Sequence, residues 1–257
     1  EVGRSAATDS SGNVFVMGHT DSTGLDGNVN AGVQDTFLAK YDSAGNKLWS
    51  RLIGNASTDQ GLGVATDGAG NAYITGFTNS AVLNGTSIAG GSDAFLVKFS
   101  GSGNSLWTRL LGSNGTDLAL CIATDSAGNI FIAGNTDSLS LNGTASIGRF
   151  DAFVAQYNSS GALLQVRLLG TSSDDYGLDV ATDAAGNAAC ASPQAAPPAP
   201  AIAPAALAKT PVARVVTREQ IAEWAIACAA QSPFFGKGVG GSPLRGAAAA
   251  QVEAQKT

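Results

Sequence analysis

Along the first 187 residues the apolar positions fall into short runs of about seven residues, bounded by Gly, Asn, Asp or Ser. "GLGVATD", "NAYITGFT", "DAFLVKFS" and "SLWTRLLG", all between Gly61 and Gly112, are rich in β-branched, aromatic and leucine side chains, and each reads as a strand. No stretch in this region carries a helical period with caps. The runs recur: the triplet Ala-Thr-Asp starts at Ala7, Ala65, Ala123 and Ala181, a constant step of 58 residues.

Aligned at that step, other positions coincide. Asp35, Asp93 and Asp151 each stand two residues before Phe37, Phe95 and Phe153. Arg51, Arg109 and Arg167 align, as do Gly54, Gly112 and Gly170, and Asp59, Asp117 and Asp175. Each triplet opens the pattern ATD-x-x-GN, placing Asp9 and Asn13, Asp67 and Asn71, and Asp125 and Asn129 in a tight turn. Asp opening a turn with Gly at the positive-φ position is hairpin chemistry. "DSAGN" and "SGSGN" mark a second tight hairpin between strands three and four. Strands two and three are joined by a long loop, so both tight hairpins fall at one end of the sheet and the long loops at the other. A binding site belongs at the long-loop end, where length and variety are available.

A four-stranded antiparallel unit with apolar residues on both faces must stack on its neighbours, and a repeat of this length is that of a β-propeller blade. The predicted fold class is all-β: a β-propeller-like array of four-stranded antiparallel blades at about 3–54, 61–112 and 119–170, with a partial fourth at 177–190. Three units and part of a fourth are few for a closed propeller ring, so an open arc is expected.

Composition places the boundary of this array. All eight prolines lie at or beyond Pro193. Residues 191–216 read as an Ala/Pro-rich linker. Residues 217–231 read as a short helix with Thr217 as N-cap, and 232–257 as a tail. The helix would align Ile221, Trp224, Ala225 and Cys228 on one face.

Up to Asn187 there are 17 acidic and 8 basic side chains, net −9, and beyond it 3 and 6, net +3, which together give −6. An acidic array without a basic stripe argues against nucleic acid as partner. Cys121, Cys190 and Cys228 show no metal-ligand spacing, and no apolar run is long enough to span a bilayer. His19 is the only histidine and reads as a surface residue at a strand end.

Candidate chemistry is sparse. Asp21, Asp26, Asn28 and Asn30 in the first long loop gather oxygens of the kind calcium takes, chiefly at Asp21 and Asp26, although Asn84 and Asn142 replace Asp26 in later copies. Ordinary Asx-turn bonding is the competing reading. Trp49 with Arg51, and Trp107 with Arg109, project from one strand face, suited to stacking between blades or to a sugar ring. "GKGVGG" at Gly236–Gly241 lacks the strand and helix that a dinucleotide site requires.

The elements "GVATDGAGNAYITGFT", "DAFLVKFS" and "SLWTRLLG", in order and in phase, resemble the SBBP β-propeller repeat family over roughly residues 1–187. The resemblance implies a propeller of an extracellular or cell-surface protein and supplies no catalytic residues. The reading that follows is a non-enzymatic repeat module binding protein or glycan through its long-loop face, with self-association through exposed blade edges as a further expectation. A fragment of a polysaccharide-acting propeller enzyme, and a truncated product without function, are the alternatives. Substitution at Asn71 or Phe95 is expected to lower the melting temperature more than deletions in the long loops, and thermal unfolding of the two sets of variants checks this.

Overall fold

The computed structural model describes residues 1–183, 186–191 and 214–215. The chain divides into two compact units, Glu1–Val216 and Thr217–Thr257. The second unit lies outside the described residues, and with it the helix expected at 217–231, the tail and the Gly236–Gly241 motif.

The first unit is built of antiparallel sheets that repeat in phase. The first blade has four long strands, β1 (Val2–Thr8), β2 (Val14–Thr20), β5 (Asp35–Tyr41) and β6 (Lys47–Ile53), with β3 (Gly24–Leu25) and β4 (Asn28–Val29) forming a small hairpin in the long loop. The second has β7 (Asp59–Thr66), β8 (Ala72–Thr78), β11 (Asp93–Phe99) and β12 (Ser105–Leu111), with the small hairpin β9 (Val82–Leu83) and β10 (Thr86–Ser87). The third has β13 (Asp117–Thr124), β14 (Ile130–Thr136), β17 (Asp151–Tyr157) and β18 (Leu163–Leu169), with β15 (Ser140–Leu141) and β16 (Thr144–Ala145). A partial fourth sheet pairs β19 (Asp179–Thr182) with β20 (Ala188–Ala191), and β21 (Arg214–Val215), inside the stretch expected to be linker, adds to β20 in parallel. Each complete blade is an up-and-down meander, in the order β1-β2-β5-β6 for the first. Among the described residues the sheets form an open, propeller-like arc and do not close on themselves.

The tight turns form for the reason their sequence suggests. Asp67 Oδ1 accepts the amides of Ala69 (3.0 Å) and Asn71 (2.9 Å), and its Oδ2 accepts the Asn71 side-chain amide at 2.8 Å. Asp9 and Asp125 bind Asn13 and Asn129 in the same way. One carboxylate thus satisfies the donors that a reversing backbone would otherwise leave open.

Strand alternation gives every blade two apolar faces. Phe15, Met17 and Leu38 of the first blade pack on Val64, Ile74, Phe95 and Val97 of the second. The opposite face of the second, with Tyr73 and Leu96, packs on Ile130, Ile132 and Phe153 of the third. Phe131 and Val154 then meet Val180 and Cys190. The core therefore lies between sheets, one slab per junction, and the first strands β1, β7, β13 and β19 pack in sequence along the arc.

Polar contacts fix the phase of this stack. Thr66 Oγ1 donates to Thr8 O (2.8 Å), Thr124 Oγ1 to Thr66 O (2.8 Å) and Thr182 Oγ1 to Thr124 O (2.9 Å), a ladder that spans the blades at the repeat step. On the outer side, Trp49 Nε1 donates to Gly101 O (3.2 Å) and Arg51 Nε to Gly103 O (2.9 Å) in the next blade's hairpin. Arg109 Nε repeats the contact on Gly161 O at 2.7 Å. The guanidinium carbons of Arg51 and Arg109 sit 5.5 and 5.3 Å from the centroids of Trp49 and Trp107, within cation–π range.

Phe95 is 1% exposed inside a junction, whereas Leu106, on the outermost strand, is 52% exposed. Phe95→Ala is expected to cost about 3–5 kcal/mol. Leu106→Ala should change stability by no more than about 0.5 kcal/mol. Chemical denaturation of the two variants measures both.

Candidate functional site

The long-loop end contains more order than its sequence suggested. Each loop folds back as a two-residue hairpin whose turn is Asp26-Gly27, Asn84-Gly85 or Asn142-Gly143, with φ of 53 and 81°, 47 and 81°, and 48 and 78°. Both residues are left-handed, the type I′ geometry for which Asn-Gly and Asp-Gly are preferred. That dipeptide was the signal by which β3–β4 and its counterparts were legible in the sequence. Each small hairpin is pinned by a leucine: Leu83 and Leu141 are fully buried and Leu25 is half-buried.

The polar side chains gathered in the first loop by their sequence take separate partners within the fold. Asp26 takes the left-handed turn position and pairs with Lys47, a contact that, with Ser50, holds its carboxyl below the usual range. Asn28 donates its amide to Leu25 O (2.9 Å) and Ser50 Oγ (3.3 Å), and Asn30 donates to Ser22 O at 3.0 Å. Asp21 is exposed. Asn84 reaches Thr108 Oγ1 at 3.0 Å, and Asn142 is exposed at its turn. Among the described residues no group of three His, Cys, Asp or Glu side chains is placed to hold a metal. Asp26, Asn28, Asn30 and Asn84 thus close the hairpins or tie them to the fourth strand.

Beneath the small hairpins lie two series of buried carboxylates. Asp35, Asp93 and Asp151 begin strand three and accept the amide four residues earlier, from Ala31 (2.8 Å), Ala89 (2.9 Å) and Ile147 (2.7 Å). Asp59, Asp117 and Asp175 close the link between blades in the same way, on Asn55 (2.8 Å), Ser113 (2.9 Å) and Thr171 (2.7 Å). Gly54, Gly112 and Gly170 are required beside them, since a Cβ at Gly54 would lie 2.1 Å from Asp35 Oδ1. The Oδ1 atoms of Asp35, Asp59 and Asp93 are buried without a hydrogen-bond partner. Burial pushes the carboxyls of Asp35, Asp93 and Asp117 up, and a neighbouring carboxylate adds to it. The same pair recurs at each junction, which marks it as framework and not as a single catalytic constellation.

Among the described residues the histidine and the two cysteines are wholly or partly shielded from solvent. His19, expected at the surface, is 4% exposed because it shares with Phe15 and Met17 the face of β2 that packs on the second blade, and burial, with Arg4 and the N-terminus, lowers its pKa. Burial raises the thiol pKa of Cys121, and that of Cys190 to about 11, so both are neutral thiols at ordinary pH.

What the face offers is display. Positions 23, 29, 31 and 33 are exposed, as are their equivalents in the second and third blades. Apart from Ala31 and Ala89 their occupants differ: Thr23, Val29, Ala31 and Val33 become Ala81, Ser87, Ala89 and Gly91, then Leu139, Ala145, Ile147 and Arg149. Val29 (78%), Val33 (65%), Leu139 (79%) and Ile147 (71%) are among the most exposed large apolar side chains. An open groove of about 500 Å³ runs beside the first small hairpin, lined by Asp26, Asn28, Lys47, Trp49, Ser50 and Arg51 among others.

Comparison with known proteins agrees with this architecture. Residues 48–84 and 106–141 match the beta-propeller repeat of the SBBP family. The chain is 32% identical over 169 residues to the uncharacterized WD repeat-containing protein L264 of Acanthamoeba polyphaga mimivirus, covering 54% of this chain and 12% of that protein. It is 25% identical over 201 residues to the regulatory protein FlaEY of Caulobacter vibrioides, covering 71% of this chain and 21% of that protein. The chain thus spans about an eighth and a fifth of these two relatives. A solved protein of unknown function from Bacteroides caccae aligns with a TM-score of 0.39 and 12% identity, over 72% of this chain and 51% of that one.

The two kinds of carboxylate act oppositely with pH. Asp35, Asp93 and Asp117 titrate above 3.8 when folded, so protonation favours the folded state and their contribution rises as pH falls through the folded pKa values. Burial would also raise Asp9 and Asp67, but hydrogen bonds from Asn13 and Asn71, with Lys40 or Tyr73 and Lys98, hold them below 3.8. Their stabilisation, present above 3.8, is lost as pH falls through those lower values. The melting temperature is therefore expected to rise from neutral pH to a maximum on the acid side, then fall. Asp93→Asn, which keeps an acceptor for the Ala89 amide, should raise stability at neutral pH and flatten the rise. An unchanged slope in this variant would contradict the assignment.

Proposed function

We propose that this run of SBBP beta-propeller repeats is a non-enzymatic binding module that presents its long-loop face to a protein partner outside the cell. One observation carries the reading. The frame under the small hairpins is constant from blade to blade, while the four exposed positions on each hairpin and its flank hold a different set of side chains in every copy. A constant carboxylate and glycine frame that carries varied, exposed side chains at its tips is how a rigid scaffold builds a recognition surface. The exposed apolar residues at those positions, Val29, Val33, Leu139 and Ile147, supply the desolvation that protein contact requires.

A propeller that acts on polysaccharide would need unlike acids in one copy, and the buried acid pairs here recur with the same backbone contacts at each junction. Glycan contact is the second reading, favoured by the groove in which Asp26, Asn28 and Lys47 stand beside the Trp49 indole. The extracellular setting rests on the family resemblance of the repeats, and the wider class of repeat interaction module on the repeats themselves.

A chain carrying Val29→Ser, Val33→Ser, Leu139→Ser and Ile147→Ser together should melt within a few degrees of the parent and lose its partner. Affinity capture from extracellular and cell-surface fractions with both chains, followed by mass spectrometry, compares them. Proteins retained equally by the two chains would overturn the reading. Binding on a glycan array that Lys47→Ala abolishes would select the groove instead.

A further inference from the structure

Every blade junction uses one set of contacts, and the outward face of the first blade carries the receiving half of that set, uncovered among the described residues. Gly103, in the hairpin between β11 and β12, lies under the Trp49 ring: a Cβ there would be 2.9 Å from the indole and 3.2 Å from Arg51 Nη2. Gly161 lies under Trp107 in the same way, where a Cβ would be 3.1 Å from the ring and 3.2 Å from Arg109 Nε. The equivalent residue of the first blade is Gly45, with the same left-handed backbone, φ 85°. Among the described residues no atom comes within 4 Å of a Cβ placed there.

Two further positions follow the same pattern. Gly61 on β7 is covered from the first blade, with Met17 Sδ 2.3 Å and Thr36 Cγ2 2.5 Å from a Cβ at that site. Its equivalent on β1, Gly3, has no described atom within 4 Å. Thr66, Thr124 and Thr182 each donate to the preceding blade, whereas Thr8 is exposed. Val14 and Val16 are half-buried on this face, where their equivalents Ala72 and Ile74, and Ile130 and Ile132, are buried inside a junction.

We infer that the outward face of the first blade is a docking site for one further repeat of this kind, whose fourth strand carries Trp-x-Arg. The incoming indole covers Gly45 and donates to Ser43 O, and the guanidinium donates to Gly45 O, as Trp49 and Arg51 do on Gly101 and Gly103. A lysine on the third strand of the incoming repeat completes the contact, as Lys40 does on Gly101 O at 3.3 Å. Among its described residues a second copy of this chain offers no such set. Its Trp-x-Arg strands, β6 and β12, are already engaged, and the third blade carries Gln165 at the tryptophan position and Gln156 at the lysine position, paired with each other at 2.8 Å. The partner is therefore a repeat with the Lys, Trp and Arg set.

The test extends the chain in phase. Glu1 stands at the register of Asp59, so a second copy of Asp59–Thr116 fused ahead of Glu1 places its Trp107 and Arg109 over Gly45. Gly45→Asn, which tolerates positive φ, is made in the parent and in the extended chain, alone and with Trp107→Ala in the added copy. Gly45→Asn is expected to lower the parent's melting temperature by less than about 2 °C and the extended chain's several-fold more, with the excess removed by the added Trp107→Ala. Equal small penalties in both chains would overturn the proposal. Equal large penalties would show that other residues of this chain already occupy the edge, and would overturn it too. Hydrogen exchange on the extended chain covers the case in which the added repeat does not fold: coil-like exchange across it, with the parent pattern kept elsewhere, also refutes docking. None of these outcomes depends on what the long-loop face binds.

Discussion

A four-stranded sheet with apolar side chains on both faces is stable only between two other sheets, and everything else in this chain follows from that constraint. Phe95 and Val97 need the first blade, while Tyr73 and Leu96 need the third. Because the apolar slabs lie between repeats and not within them, a blade has no independent core. The 58-residue step is the length of chain that returns the first strand to the same place on the next sheet.

Burial alone would allow neighbouring sheets to slide, and the polar contacts prevent it. The threonine ladder on the inner side and the Trp-Arg contact on the outer side bind opposite edges of each junction to backbone carbonyls of its neighbour. Both demand one register. The third blade shows how the set varies together: Lys and Trp, opposite each other in the first two sheets as Lys40 with Trp49 and Lys98 with Trp107, become Gln156 and Gln165, which bond to each other. The pair that reaches backbone carbonyls of the next blade in the first two sheets is thus replaced by two amides that bond to each other.

The buried carboxylates and the display surface are parts of one device. Each aspartate at the start of strand three holds the return of a long loop by its backbone, so the return does not rest on the exposed side chains beside it. The small hairpins of the second and third blades are pinned by Leu83 and Leu141, and the side chains that the hairpins expose differ from blade to blade. A frame this uniform supports recognition by variation at its tips, whereas catalysis would require the uniformity to be broken somewhere beneath them.

The amino-acid sequence by itself determined the strands, the capped turns and the repeat phase, because each depends on local pattern: alternation, Asp and Asn four apart, and Gly at positive φ. It also carried the Asp-Gly and Asn-Gly pairs of the small hairpins, although a two-residue strand has too little alternation to announce itself. Tertiary structure alone decided the rest. Only the stacked sheets show that Trp49 lies on Gly103, that Asp26 pairs with Lys47, and that His19 is buried. These are contacts between groups 21 to 54 residues apart or across a sheet, set by how blades pack, and no local spacing encodes them.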